Sequence, residues 1–175
     1  MTVGHDAQSS QEVLSDVTHW IWSCQLQIQR LLESTAQEFS SSQEQSRLER
    51  RRICSRTSYD EHMVLVALRN LLRSLDRGTA PLKKNLLRRS EDAIRHLRNI
   101  YEHWDEHRGV FRRGDPSEYE RSLKVFLESF PEGRPWSTSY SPEGLVLGNV
   151  INIRDLLDDL ESIETTATSI LDWHE

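Results

Sequence analysis

Glycine and proline are scarce, seven and five in 175 residues. That excludes a loop-dominated chain and makes long helices the expected element. Cysteine is limited to Cys24 and Cys54, too few for a disulfide scaffold and without metal-ligand spacing. The pair reads as a reducing, cytosolic protein with Cys24 as a buried thiol. No apolar run approaches the roughly 18 residues that span a bilayer, and the N-terminus lacks a basic-then-apolar signal pattern. A cytoplasmic protein with no membrane association is therefore expected. Repeats of solenoid period are absent. The net charge of −6 argues against a protein that coats nucleic acid nonspecifically.

The charge is unevenly spread. Residues 1–68 carry six basic against nine acidic side chains, residues 69–113 twelve against six, and residues 115–175 four against thirteen. A basic centre between acidic flanks fits an anionic ligand, or pairing with acidic surfaces of the same fold or of a twin subunit.

Apolar periodicity divides the chain into helices. Residues 1–10 are polar and aperiodic, and read as a flexible tail before a single domain over 11–175. From Gln11 to about Phe39, Val13, Leu14, Val17, Trp20, Ile21, Cys24, Ile28, Leu31 and Leu32 recur at helical spacing. Ser40 to Thr57, with its Arg50-Arg51-Arg52 run, reads as a solvated connection with room for partial helix, the Arg run being a solvated face in preference to a nucleic-acid contact. Ser58-Tyr59-Asp60-Glu61 has the form of a capping box, followed by Met63, Val64, Ala67, Leu68, Leu71, Leu72 and Leu75. After Gly78-Thr79-Ala80-Pro81, a third helix is predicted from about Leu82 to His107, with Leu86, Leu87, Ile94, Leu97, Ile100, Tyr101 and Trp104 inward. Gly109 ends it. Asp115-Pro116 opens a short helix that stops at Pro131. Trp136 to Tyr140 and Leu145 to Leu147, flanking Ser141-Pro142-Glu143-Gly144, predict a small β-hairpin. A last helix from about Asn152 carries Ile153, Leu156, Leu157, Leu160, Ile163, Ala167, Ile170 and Leu171 inward. The expected architecture is all-α, a four-to-five-helix bundle with a small β-hairpin before the last helix.

One stretch concentrates reactive groups: Arg95 to Arg108, R-H-L-R-N-I-Y-E-H-W-D-E-H-R. On a helix, Asn99 and His103 are neighbours one turn apart, and the long Arg98 side chain reaches the same space. An imidazole that takes a proton, beside a guanidinium that holds a phosphate, suits phosphodiester cleavage.

Arg98-Asn99-Ile100-Tyr101-Glu102-His103, late in a long helix of a small all-α protein, resembles the HEPN superfamily. Its ribonuclease members carry Arg, four to six residues, then His, often with a polar residue directly after the Arg. The motif is short, and the resemblance covers the rest of the bundle only loosely. It implies a homodimer with two motifs facing across a groove, and RNA as substrate. His103 would be general base on a ribose 2′-hydroxyl, Arg98 would stabilise the phosphorane, and Asn99 would orient phosphate. No metal or other cofactor is needed, because the neighbouring hydroxyl is the nucleophile. Toxin members pair with an antitoxin protein. In the branch whose antitoxin is a nucleotidyltransferase, a Tyr stands two residues after the His as modification site. Here that position is Asp105, which argues against that regulation. Glu102 and Asp105 place negative charge beside His103, where it raises the imidazole pKa or repels RNA. His107 is a further auxiliary candidate. Other HEPN proteins are catalytically silent, so the same residues also fit a non-catalytic dimeric module that binds a partner protein or nucleotide.

Two other readings compete for the stretch. His103-Trp104-Asp105-Glu106-His107 satisfies H-x-x-E-H, an inverted zinc-protease pattern, and His96, His103 and His107 share a stripe that could hold a metal. Both lack a further ligand set or a substrate cleft in the sequence. The bland alternative makes Arg95, Arg98, Glu102, Asp105 and Glu106 ion pairs on a solvated helix face, with Tyr101 and Trp104 in the core. Trp22 falls off the core stripe of its helix and marks a candidate dimer face.

Overall fold

The structure, a computed structural model, describes residues 3–40, 46–78, 80–83, 87, 91–102, 138–141, 144–148 and 150–172. Among these the chain forms five α-helices and one small sheet: α1 (Val3–Ser40), α2 (Arg47–Arg77), α3 (Ala80–Lys83), α4 (Glu91–Glu102), β1 (Ser139–Ser141), β2 (Gly144–Leu147), β3 (Ile151–Asn152) and α5 (Ile153–Asp172). The protein is an all-α bundle with a β-hairpin before the last helix.

Helices α1 and α2 make an antiparallel pair. Arg77 donates to Asp16 at 2.6 Å near one end, and the Cys54 thiol lies 3.4 Å from the Glu38 carboxylate near the other. Between these contacts the α1 stripe of Leu14, Val17, Ile21, Cys24, Ile28 and Leu31 packs into one cluster with Val64, Leu65, Leu68, Leu71, Leu72 and Leu75 of α2. Each such fully buried aliphatic side chain contributes about 1.5–3 kcal/mol relative to exposure. Helix α5 closes another side of α1 through Leu156, Leu160, Ile163 and Ala167, and Gln25 donates across to Glu164 at 3.2 Å. Leu32, Leu157 and Leu171, expected inward, are exposed. They sit at the margin of their apolar stripes, where the helix surface turns away from its neighbours.

Three boundaries differ from the sequence reading. Helix α1 starts at Val3, not near Gln11. Once a helix is nucleated, each added residue gains a backbone hydrogen bond at little further cost. The capping box is not at Ser58. Ser46 caps α2: its hydroxyl accepts from Glu49 N at 3.2 Å, and the Glu49 carboxylate accepts from Ser46 N at 3.0 Å. Residues 47–57 of the expected connection are thus the first three turns of α2, and Ser58 lies exposed in mid-helix.

The predicted helix over 82–107 is also divided. Four residues of α3 are followed by Leu87, in a 3₁₀ turn, and α4 begins afresh at Glu91. Gly78, further back, caps α2 and separates it from α3. Its N–H donates to Leu75 O at 3.0 Å, and a Cβ there would meet Leu82 Cδ1 at 3.0 Å and Leu75 O at 3.2 Å. A side chain at this position would have to be accommodated by a shift of Leu82 or of the α2 end. The residues 103–137, which include the short helix expected after Asp115, lie outside the described residues.

The hairpin forms where expected, with Tyr140 opposite Leu145 and Ser141 opposite Gly144. Gly144 has φ +126°, a value L side chains rarely adopt. A third strand extends it, Leu147 pairing with Ile151, in the order β1-β2-β3. Leu145 and Leu147 point to the core while Val146 stays half-buried, the period-2 alternation of a one-sided sheet. Asn152 ends the sheet and starts α5, its side-chain oxygen accepting from Arg154 N at 2.9 Å.

Candidate functional site

Helix α4 carries the first half of the motif. Glu91 and Asp92 occupy its first turn, where negative charge is favoured by the helix dipole. Ala93, Ile94 and Leu97 are buried and hold one face inward. Arg69 of α2 approaches Glu91 at 3.9 Å, and Arg95 pairs with Asp92 at 2.8 Å. The bland ion-pair reading therefore holds for Arg95.

Arg98 and Asn99 follow on the last turns of α4 and are half-buried. They belong to neither the apolar stripe nor the fully solvated face. An arginine side chain joins an apolar stem to a planar fork of donors that matches phosphate geometry. Glu102 is the final residue of the helix, and its side chain lies outside the described residues. So do His103, Asp105 and His107. The structure therefore brings Arg98 and Asn99 together on one helix end, and the remaining predicted site residues fall beyond it.

His96 is 2 % exposed. Burial pushes its pKa down, the Arg95 guanidinium pushes the same way, and Asp92 opposes both. It is a core imidazole favoured neutral. The other two members of the proposed stripe, His103 and His107, lie outside the described residues. Among the described residues no group of three His, Cys, Asp or Glu side chains could hold a metal ion.

A second polar group was not anticipated. Thr57, Asp60 and Glu61 of α2 are all buried, and the Thr138 hydroxyl, just before β1, donates to the Glu61 carboxylate. Asp60 Oδ2 is buried without a hydrogen-bond partner, with Arg56 Nε 3.9 Å away. The signal was present in the sequence. Thr57, Asp60 and Glu61 precede Val64 and Leu68 at spacings of three and four, so they continue the core stripe of α2. Reading Ser58 as a helix start hid that continuity.

On the outer side of α1, Trp22 is 76 % exposed and Leu26, one turn further, is 50 % exposed. No helix of the described residues is long and apolar enough to cross a membrane. Compared with protein-family models, with curated proteins and with solved structures, the chain matches none.

Proposed function

We propose that the chain is a metal-independent endoribonuclease of the HEPN type, acting as a toxin or defence factor. The observation that carries this reading is the half-buried presentation of Arg98 and Asn99 on the last turns of α4, within an all-α bundle. Arg98 would bind a phosphate oxygen and neutralise the charge that grows on the phosphorane. His103 would take the proton of the ribose 2′-hydroxyl as its oxygen attacks phosphorus. The P–O5′ bond then breaks, the 5′-oxygen leaves with a proton, and the other product carries a 2′,3′-cyclic phosphate. Asn99 would orient the phosphate. Two motifs facing each other in a homodimer would form the groove, and an antitoxin protein would be a further partner.

A second reading is favoured by a separate observation. Trp22 and Leu26 form an exposed apolar pair on α1, which suits a non-catalytic helical module that dimerises or docks a partner protein.

The test is RNA cleavage by purified protein in EDTA, comparing the unmodified chain with Arg98→Ala and His103→Ala. The ribonuclease reading expects cleavage that survives chelation, leaves cyclic phosphate ends and disappears in both variants. Absence of cleavage by well-folded protein, on structured and unstructured RNAs alike, leaves the binding-module reading. Cleavage retained by both variants overturns the assignment of the site.

A further inference from the structure

The first turns of α2 carry five arginines, Arg47, Arg50, Arg51, Arg52 and Arg56, against one acid, Glu49, in ten residues of a chain with net charge −6. All five are exposed. Glu49 is turned back onto Ser46 as the capping residue, accepting from its N–H and its hydroxyl at 3.0 and 2.9 Å. Arg47, Arg50, Arg51 and Arg52 form no ion pair among the described residues. Leu48, Arg51, Arg52, Ser55 and Tyr59 recur at helical spacing on the side of α2 opposite its core stripe. Tyr59 is 62 % and Leu48 60 % exposed. Phe39, 66 % exposed, lies on the end of α1 that the Cys54–Glu38 contact holds against α2.

We infer that this outward stripe of α2, Arg51, Arg52 and Tyr59 at its centre, is a binding surface for single-stranded RNA. The inference rests on the ribonuclease reading and extends it to a substrate contact on a different helix from Arg98. Arginine forks grip phosphate oxygens in two-point geometry and also stack on bases, and an exposed aromatic ring offers a sequence-tolerant platform for an unpaired base. An anionic membrane is the poorer fit. An interfacial helix needs a continuous apolar face, and this side of α2 offers only Leu48 beside the tyrosine. The unpaired form of RNA is favoured over duplex because Tyr59 can stack only on a base that is free to splay out.

The experiment measures binding of a fluorescent unstructured RNA to the full chain carrying His103→Ala, with and without Arg51→Glu/Arg52→Glu, Tyr59→Ala or Tyr59→Phe, over a series of salt concentrations. Both arginine reversals together are expected to weaken binding at least tenfold. They should also flatten the salt dependence by about 0.7 in log–log slope per lost phosphate contact. Tyr59→Ala is expected to weaken binding by about tenfold, and Tyr59→Phe to restore it, because the ring is kept. All these positions are exposed, so the melting temperature should not move, and that is checked in parallel. Unchanged affinity and salt slope in the reversal variant overturn the surface, as does tighter binding to phosphatidylserine vesicles than to RNA. Self-association that depends on Arg51 and Arg52 without any RNA effect overturns it too. RNA binding that depends on the stripe in a chain that never cleaves RNA keeps the surface and removes the ribonuclease reading. Cleavage by the unmodified chain with a KM unaffected by the reversals does the opposite.

Discussion

The Thr138 hydroxyl donates to the Glu61 carboxylate, joining residues 77 positions apart in sequence. The contact ties the start of the hairpin to a buried turn of α2, so it couples the sheet to the main helical pair. Removing one partner of a buried hydrogen bond costs about 1–3 kcal/mol. Thr138→Val, which keeps the shape and removes the donor, is expected to lower unfolding free energy by roughly that amount, and Thr138→Ser to keep most of it. Urea denaturation of the two variants decides. A valine variant as stable as the parent would mean that the sheet does not depend on this contact.

His96 makes stability depend on pH. Its folded pKa lies below the ordinary histidine value because burial, then Arg95, disfavour the charged ring. The unfolded chain therefore binds a proton first as pH falls. The contribution of the neutral buried ring is complete above about pH 6.5, and it is lost as pH falls from there toward the lowered folded value. Denaturation midpoints measured between pH 8 and pH 5 should fall over that window, and His96→Gln should flatten the fall. Equal slopes in parent and variant would assign the acid sensitivity to other groups.

Periodic apolar positions made the bundle, the hairpin and the start of α5 legible, since Leu68, Leu145 and Asn152 each act through local spacing or capping chemistry. What failed was non-local. Residues 47–52 of α2 are all exposed, so no buried apolar stripe announces them. Their helicity rests on Ser46, Glu49 and the good helix formers between 47 and 52. The interruption at Leu87 carries no glycine or proline of its own, and the sequence reads straight through it. Asp60 and Glu61 look like solvated charges until Thr138 is known to approach. At the candidate site, Arg98 and Asn99 were legible as neighbours on a helix, whereas the burial of His96 depends on which face of α4 packs inward.

Ser46 provides a sharper test of the α2 start. Replacing it by alanine leaves Glu49 N without its side-chain acceptor, and loss of such a cap costs about 1 kcal/mol. Ser46→Ala should lower stability by that order, while Ser58→Ala, at the site where the sequence first placed the cap, should change nothing measurable. Glu49 adds a pH signature. Hydrogen bonds from Ser46 hold its carboxyl below the usual range. Its support is therefore present above the unfolded carboxylate value and lost as pH falls through the lower folded one. Ser46→Ala should reduce that low-pH loss; helicity and stability followed from pH 6 to pH 3 would reveal it.

Asp60 tests what a buried carboxylate contributes. Its Oδ2 is buried with no hydrogen-bond partner, and Arg56 stands off at 3.9 Å. An uncharged group can often replace the buried member of an ion pair at little cost when its partner is exposed, because desolvation cancels much of the Coulombic gain. Asp60→Asn, nearly identical in shape and uncharged, is expected to be as stable as the parent or more so in chemical denaturation. A loss above about 1 kcal/mol would mean that the carboxylate is needed in its ionised form, and would redirect attention to its pairing with Arg56.

The two thiols should behave oppositely toward a soluble disulfide reagent. Cys24 is fully buried, and burial pushes its pKa far up, so it has neither access nor thiolate character. Cys54 is exposed, but partial desolvation raises its pKa, and the Glu38 carboxylate that accepts from it at 3.4 Å raises it further. Native protein should therefore react at one thiol only, slowly for an exposed cysteine, and at both once unfolded. Glu38→Gln removes the negative charge beside Cys54 and should speed the first reaction without exposing the second. Two thiols reacting in the native state would mean that the α1–α2 core opens readily around Cys24. No change with Glu38→Gln would mean that desolvation alone sets the reactivity of Cys54.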